Sequence, residues 1–172
     1  MTEVERRLWT HSVGSALSAR FVALEAGRID HETAFLAGLF HDLGRLLLYQ
    51  VRPLTYEKLC REHPAGRPDP ELERAHLQLT HTEVGGEALR RWQLGEELAD
   101  VARDHHEEPS RVSPLIRAVI AGEGIIAEPE ERMEAGAEAL RLLGVPEARV
   151  EALRERVQES IRREEAFFGL AA

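Results

Sequence analysis

Apolar residues recur at intervals of three and four almost from end to end of this chain, and no stretch alternates as a half-buried strand requires. That spacing restricts the fold to helices packed on helices, so the predicted class is all-α, a bundle of about eight helices. Composition points the same way: Ala, Leu, Glu and Arg crowd the sequence while aromatics make up only 5%. At 172 residues the expectation is a single domain, 1–172, with its core over 8–127 and a C-terminal helical pair over 130–168.

Local signals place the elements. Thr2 and Glu5 form a capping box for a first helix to about Leu24, and Gly27 stops it. Asp30 caps a second helix, expected to run unbroken through Ala34, Leu36, Leu39, Phe40, Leu43, Leu46 and Leu47. A helix so apolar around its circumference is expected at the centre of the fold. Helices follow near 55–62, 70–79, 82–92 and 96–105. The loop HPAGRPDP (63–70) interrupts them, and EEPSRVSP (107–114) precedes the next helix. Ser113-Pro114 reads as an N-cap with Pro at the first helical position of a helix that stops before Pro129. Two last helices, near 131–143 and 146–168, flank Gly144-Val145, and the final one carries Val150, Leu153, Val157 and Ile161 on one stripe.

Charge and cysteine usage exclude several classes. The formal net charge is −9, so a broad nucleic-acid surface is not expected. Cys60 is the single cysteine, which forbids an intramolecular disulfide and suits a reducing, cytoplasmic setting; it lacks a sequence partner that would make it a nucleophile. No apolar run is long enough to span a membrane, and the first residues lack the apolar stretch of a signal peptide.

The histidines carry the chemical information. His41-Asp42 lies inside AFLAGLFHDLGRLLLY, where a carboxylate without a partner would be costly. His105-His106 ends another apolar helix. Imidazole and carboxylate together are the usual donors for first-row metals. An antiparallel packing of the first two helices would bring His11 beside His41-Asp42, and Asp42 could reach a second ion. A lone helical histidine is more often a surface residue, and His31, His63 and His76 are read that way. Trp9 and Trp92 are read as packing residues.

WTHS (9–12), AFLAGLFHDLGRLLLY (34–49), HTEVGGEALRRWQL (81–94) and DHHEEP (104–109) together resemble the HD superfamily, and within it the HDOD branch. The resemblance covers Leu8 to about Ala127. It implies an HD-type helical fold and proposes His11, His41, Asp42, His81, His105 and His106 as metal ligands. Glu123 aligns with the superfamily's last ligand. It further implies one or two transition-metal ions, Fe or Mn first and Zn, Co or Ni as alternatives, with Asp42 bridging. Two functions follow from it: metal-dependent phosphohydrolysis of a nucleotide or other phosphate ester, or a non-catalytic module of bacterial signal transduction with a structural or vestigial metal site. In the first, Asp42 and Arg45 are the expected catalytic residues, Arg45 as a fork of donors to phosphoryl oxygens. The expected partner is a small phosphate-containing ligand. A homodimer contact through Phe167, Phe168 and Leu170 is an alternative to their docking on the domain.

The chain departs from the family pattern at several points. No Gly-Tyr-Pro follows the histidine pair, Arg45 replaces a Lys, Gln78 a Gly and Gly95 a Pro. Eight residues precede Trp9 where HDOD proteins carry a further helical lobe, so the expectation is a stand-alone half or a piece of something longer.

Overall fold

The computed structural model describes residues 1–63, 66–126 and 130–168, with side chains described except at 130–132 and 165–168. Among them are ten α-helices: α1 (Glu3–Ala26), α2 (His31–Phe40), α3 (Leu43–Val51), α4 (Pro53–Glu62), α5 (Pro70–Leu77), α6 (His81–Arg91), α7 (Glu96–Asp104), α8 (Pro114–Ile126), α9 (Glu130–Leu142) and α10 (Glu147–Phe168). A 3-10 turn at Pro109–Arg111 precedes α8. No strand occurs among the described residues.

Several ends lie where the local chemistry puts them. Both hydrogen bonds of the Thr2–Glu5 capping box form, Asp30 accepts from the Thr33 amide at 2.7 Å, and Gly27 ends α1 at φ 68°. Thr80 and Glu83 close a second capping box, which makes His81 the first residue of α6. Gln78 ends α5 at φ 61°, a left-handed conformation that explains why glycine suits this position. Pro129, Phe167, Phe168 and Leu170 lie outside the described side chains, and the contacts expected of the last three with them.

The second predicted helix is not continuous. It breaks at His41-Asp42 into α2 and α3, His41 ending one and Asp42 beginning the other. Nor is it central on all sides: Leu36 is exposed, and Leu39, Phe40, Leu43, Leu46 and Leu47 are only half-buried. The two tryptophans expected in packing are largely outside, Trp9 at 42% and Trp92 at 53% exposure.

α1 forms the axis of the fold, packed against α2, α8 and α10, while α6 pairs with α7 and with α3. The main core joins Ala19, Val22, Ala37, Leu89, Val101 and Val119 to Leu153 and Val157 of the C-terminal helix. A smaller cluster under α3 and α4 holds Leu48, Tyr49, Tyr56 and Cys60. Close backbone approaches set the geometry around the histidines, at Gly38 against Ser15 of α1 and at two further glycines. A Cβ at Gly44 would sit 1.9 Å from the His81 carbonyl oxygen, so α3 and α6 touch backbone to backbone. At Gly122 a Cβ would meet the Ala19 amide nitrogen at 2.8 Å, which lets α8 lie directly on α1.

Candidate metal centre

Most of the histidine cluster is built from helix ends. His41 caps the C-terminus of α2, Asp42 begins α3, His81 begins α6 and His105 caps α7. His106 follows in the turn. Only His11 in α1 and Glu123 in α8 come from helix interiors, brought together by the contact at Gly122. Helix ends suit this purpose because their unpaired backbone groups can hold a side chain in place.

The imidazoles are held from behind. His41 Nδ1 lies 2.7 Å from the Gly38 carbonyl oxygen, and His105 Nδ1 lies 3.1 Å from that of Ala102. His81 Nδ1 lies 2.7 Å from Glu73 Oε2, which also accepts from the His81 backbone amide at 2.6 Å. A ring that donates through Nδ1 presents Nε2 as a lone pair, the form a metal requires.

Those Nε2 atoms converge in two groups. In one, His11 Nε2 is 3.2 Å from His41 Nε2, and Glu123 Oε1 is 3.1 Å from the first and 3.3 Å from the second. In the other, His81 Nε2 is 3.0 Å from His106 Nε2, with the His105 ring beside His106 at 4.2 Å between centroids and tilted by 45°. Asp42 stands between them. Its Oδ2 is 3.4 Å from His11 Nε2, and its Oδ1 is 3.3 Å from His81 Nε2 and 3.5 Å from His105 Nε2. Donors about 2.1 Å from a common ion lie roughly 3.4 Å apart in tetrahedral geometry, so the spacing fits metal binding. So does the bonding: Asp42 Oδ1 and His105 Nε2 are buried with no hydrogen-bond partner among the described residues. The cluster could therefore bind a metal.

Burial governs the electrostatics. Loss of solvent, then the Arg67 charge, lowers the His11 pKa to about 4; burial likewise lowers His81 and His105. For His41 burial acts in the same sense, but Asp42 and Glu123 outweigh it and the net shift is upward. Burial would raise Asp42, yet Arg45 and the imidazoles hold it well below the usual carboxylate range. It is thus ready to bind a cation as an anion.

Arg45 stands elsewhere than sequence reasoning expected. It is wholly buried behind Asp42, its Nε 2.8 Å from Asp42 Oδ2 and its Nη1 on the Pro68 carbonyl and 3.3 Å from Glu73 Oε1. From there it fixes Asp42 and faces no ligand space, so it is a positioning residue. His76 is exposed as expected, whereas His31 and His63 are half-buried and face Glu32 and Asp69. Cys60 is buried and its thiol is pushed up to about 11, far from nucleophilic.

Two participants were missed. Glu73 is completely buried although ELERAHL reads as a solvated helix; the only local hint is that the two residues before His81 turn the chain back toward α5. Arg67, in the loop after α4, lays its guanidinium on His11 and within 3.6 Å of Asp42 Oδ2 and 3.8 Å of Glu123 Oε1. Nothing in its sequence surroundings signals this.

A family model described as HDOD domain matches residues 2–108. The chain is 29% identical to a ribonuclease Y of Thermosipho melanesiensis over 134 residues, 77% of this chain and 21% of the ribonuclease. A solved protein of Marinobacter aquaeolei VT8, provisionally named a signal transduction protein, superposes with a TM-score of 0.71 at 23% identity, covering 95% of this chain and 38% of that one. Another, of Shewanella amazonensis SB2B and provisionally named a phosphohydrolase, gives a TM-score of 0.67 at 21% identity over 90% of this chain and 59% of that one. The two superpositions establish likeness of fold. The chain spans less than two thirds of each of these three proteins.

Proposed function

The chain belongs to the HDOD domain family, and on that premise we propose that it is a metal-dependent phosphohydrolase acting on a nucleotide or other phosphate ester. One ion would be held by His11, His41, Glu123 and Asp42, and a second by Asp42, His81, His105 and His106. The observation that carries this reading is Asp42, whose Oδ2 faces the imidazoles of His11 and His41 and whose Oδ1 faces those of His81 and His105, at 3.3 to 3.6 Å. Mixed imidazole and carboxylate donors accommodate Fe, Mn, Zn, Co or Ni, and the family resemblance puts Fe or Mn first. When bound, such ions polarise a phosphoryl oxygen and acidify water at neutral pH.

The chain's own residues supply orientation. Arg45 holds Asp42 ionised and in place, and Glu73 and the Gly38 and Ala102 carbonyls keep three imidazoles in one tautomer. The relatives named for ribonuclease and phosphohydrolase activity support a phosphate ester as the bond class. A second reading, a signalling module without catalysis, is favoured by Arg67, whose guanidinium lies across the His11 group.

The test is metal analysis after purification without chelator, followed by hydrolysis of nucleotides, cyclic dinucleotides and a generic phosphodiester. Wild type is expected to hold one or two equivalents of metal and to turn over at least one of them, with Asp42→Ala at least 100-fold slower. Metal without turnover selects the signalling reading. Protein that takes up no metal rejects both ion sites.

A further inference from the structure

One flank of α1 carries Arg6, Arg7, Thr10, His11 and Gly14, residues brought into line by helical spacing. With Gly66 and Arg67 they wall a pocket of about 410 Å³, closed on the apolar side by Ile126 and Ile161. Among the described residues its lining has three guanidinium groups and no carboxylate, on a chain of net charge −9. Some arginines elsewhere are matched with acids, as Arg20 with Glu32 at 2.5 Å and Arg141 with Glu138 at 2.7 Å, while others such as Arg28 and Arg52 enter no ion pair with the described residues. Arg6 enters no ion pair with the described residues. Among the described residues Arg7 forms an ion pair with Glu3 alone, with both side chains more than half exposed, an arrangement that costs little to exchange.

The pocket shares walls with the candidate metal centre. His11 and Arg67 belong to both, and Arg7 precedes His11 by one helical turn, about 6 Å of rise. A ligand reaching from the centre to the mouth therefore meets a cation-binding group at one end and paired guanidinium forks at the other. A single phosphate fills only the first of these places. We infer that the pocket holds the non-reacting phosphates of a ligand carrying two or more linked phosphates, with Arg6 and Arg7 as donors at the mouth and Arg67 between them and the centre. Planar guanidinium matches phosphate oxygens in pairs, and the isoleucine side limits competing water. This assignment rests on the phosphohydrolase reading for where the reacting phosphate sits; the binding itself needs no hydrolysis.

Calorimetric titration of the metal-loaded protein with AMP, ADP and the dinucleotide pApA tests it, the adenine being common to all three. Wild type is expected to bind ADP or pApA at least tenfold more tightly than AMP, and the stronger of the two identifies anhydride or diester linkage. Arg6→Ala/Arg7→Ala should lose at least tenfold for that ligand with unchanged metal content. Both side chains are exposed, and a matched melting curve confirms that the variant folds. Equal affinity for all three ligands, or a double variant that binds like wild type, overturns the inference. Tight, arginine-dependent binding without turnover upholds the pocket while rejecting the phosphohydrolase reading. Turnover without that discrimination rejects the pocket alone.

Discussion

Glu73 gives one buried carboxylate to four groups. Its Oε1 accepts from Tyr56 at 2.8 Å and faces Arg45 Nη1 at 3.3 Å, while Oε2 serves the amide and the ring of His81. Burial pushes its pKa up to about 7, against the pull of Arg45. Replacing it by Gln would put an amide, a donor on one side, where the His81 ring donates, and so set ring and neighbour against each other. Glu73→Gln is expected to weaken metal affinity about 10- to 100-fold with the direct ligands intact, measured by competition against a chromophoric chelator. Unchanged affinity would show that Glu73 orients nothing that matters to the ion. His11, His41, Asp42, His105 and His106 were legible as candidates in the sequence from their placement on apolar helices, while His81 and Glu123 were legible only through the family resemblance. Glu73 and Arg67 were legible in neither way, since each acts through a contact with no sequence neighbourhood.

At the scale of elements, the break between α2 and α3 is decisive. On one straight helix His41 and Asp42 would point about 100° apart. With the chain turning between them, His41 Nε2 comes within 3.6 Å of Asp42 Oδ2. Apolar periodicity could not reveal the break, for the residues at the turn are neither Gly nor Pro and the apolar spacing runs on through it. Gly44, one turn later, then lets α3 reach α6. A methyl group there would overlap the His81 carbonyl, which is backbone and cannot swing aside. Gly44→Ala is expected to cost about 2–3 kcal/mol in urea denaturation and to reduce metal content, because α6 must move and carry His81 with it. A variant with wild-type stability and metal content would mean that the α3–α6 contact yields easily.

For the whole molecule the cluster makes stability depend on pH. In protein stripped of metal, His11, His81 and His105 resist protonation, whereas in the unfolded chain they titrate near 6.5. As pH falls from about 6.5 to 4.5 the unfolded state gains protons that the folded state refuses, and stability falls. Glu73 and His41 act in the opposite sense, since the folded pKa of each lies above its unfolded value; the His41 contribution is already complete below about 6.5, so in that window three imidazoles outweigh one carboxyl. Urea midpoints are expected to drop from about pH 6.5 to 4.5, and a flat or rising series would reject neutral His11, His81 and His105. Among the described residues no helix is long and apolar enough to cross a membrane. The sequence by itself determined the helical class and most helix ends, and offered the candidate donors His11, His41, Asp42, His105 and His106, because periodicity, capping and side-chain chemistry are properties of neighbours along the chain. Tertiary structure alone decided that donors as far apart as His11 and Glu123 meet within 3.1 Å, that Arg45 turns inward, that the tryptophans turn outward and that three arginines share a pocket. Those outcomes depend on how helices approach one another, and the approach is set by packing at Gly44 and Gly122 across the whole fold.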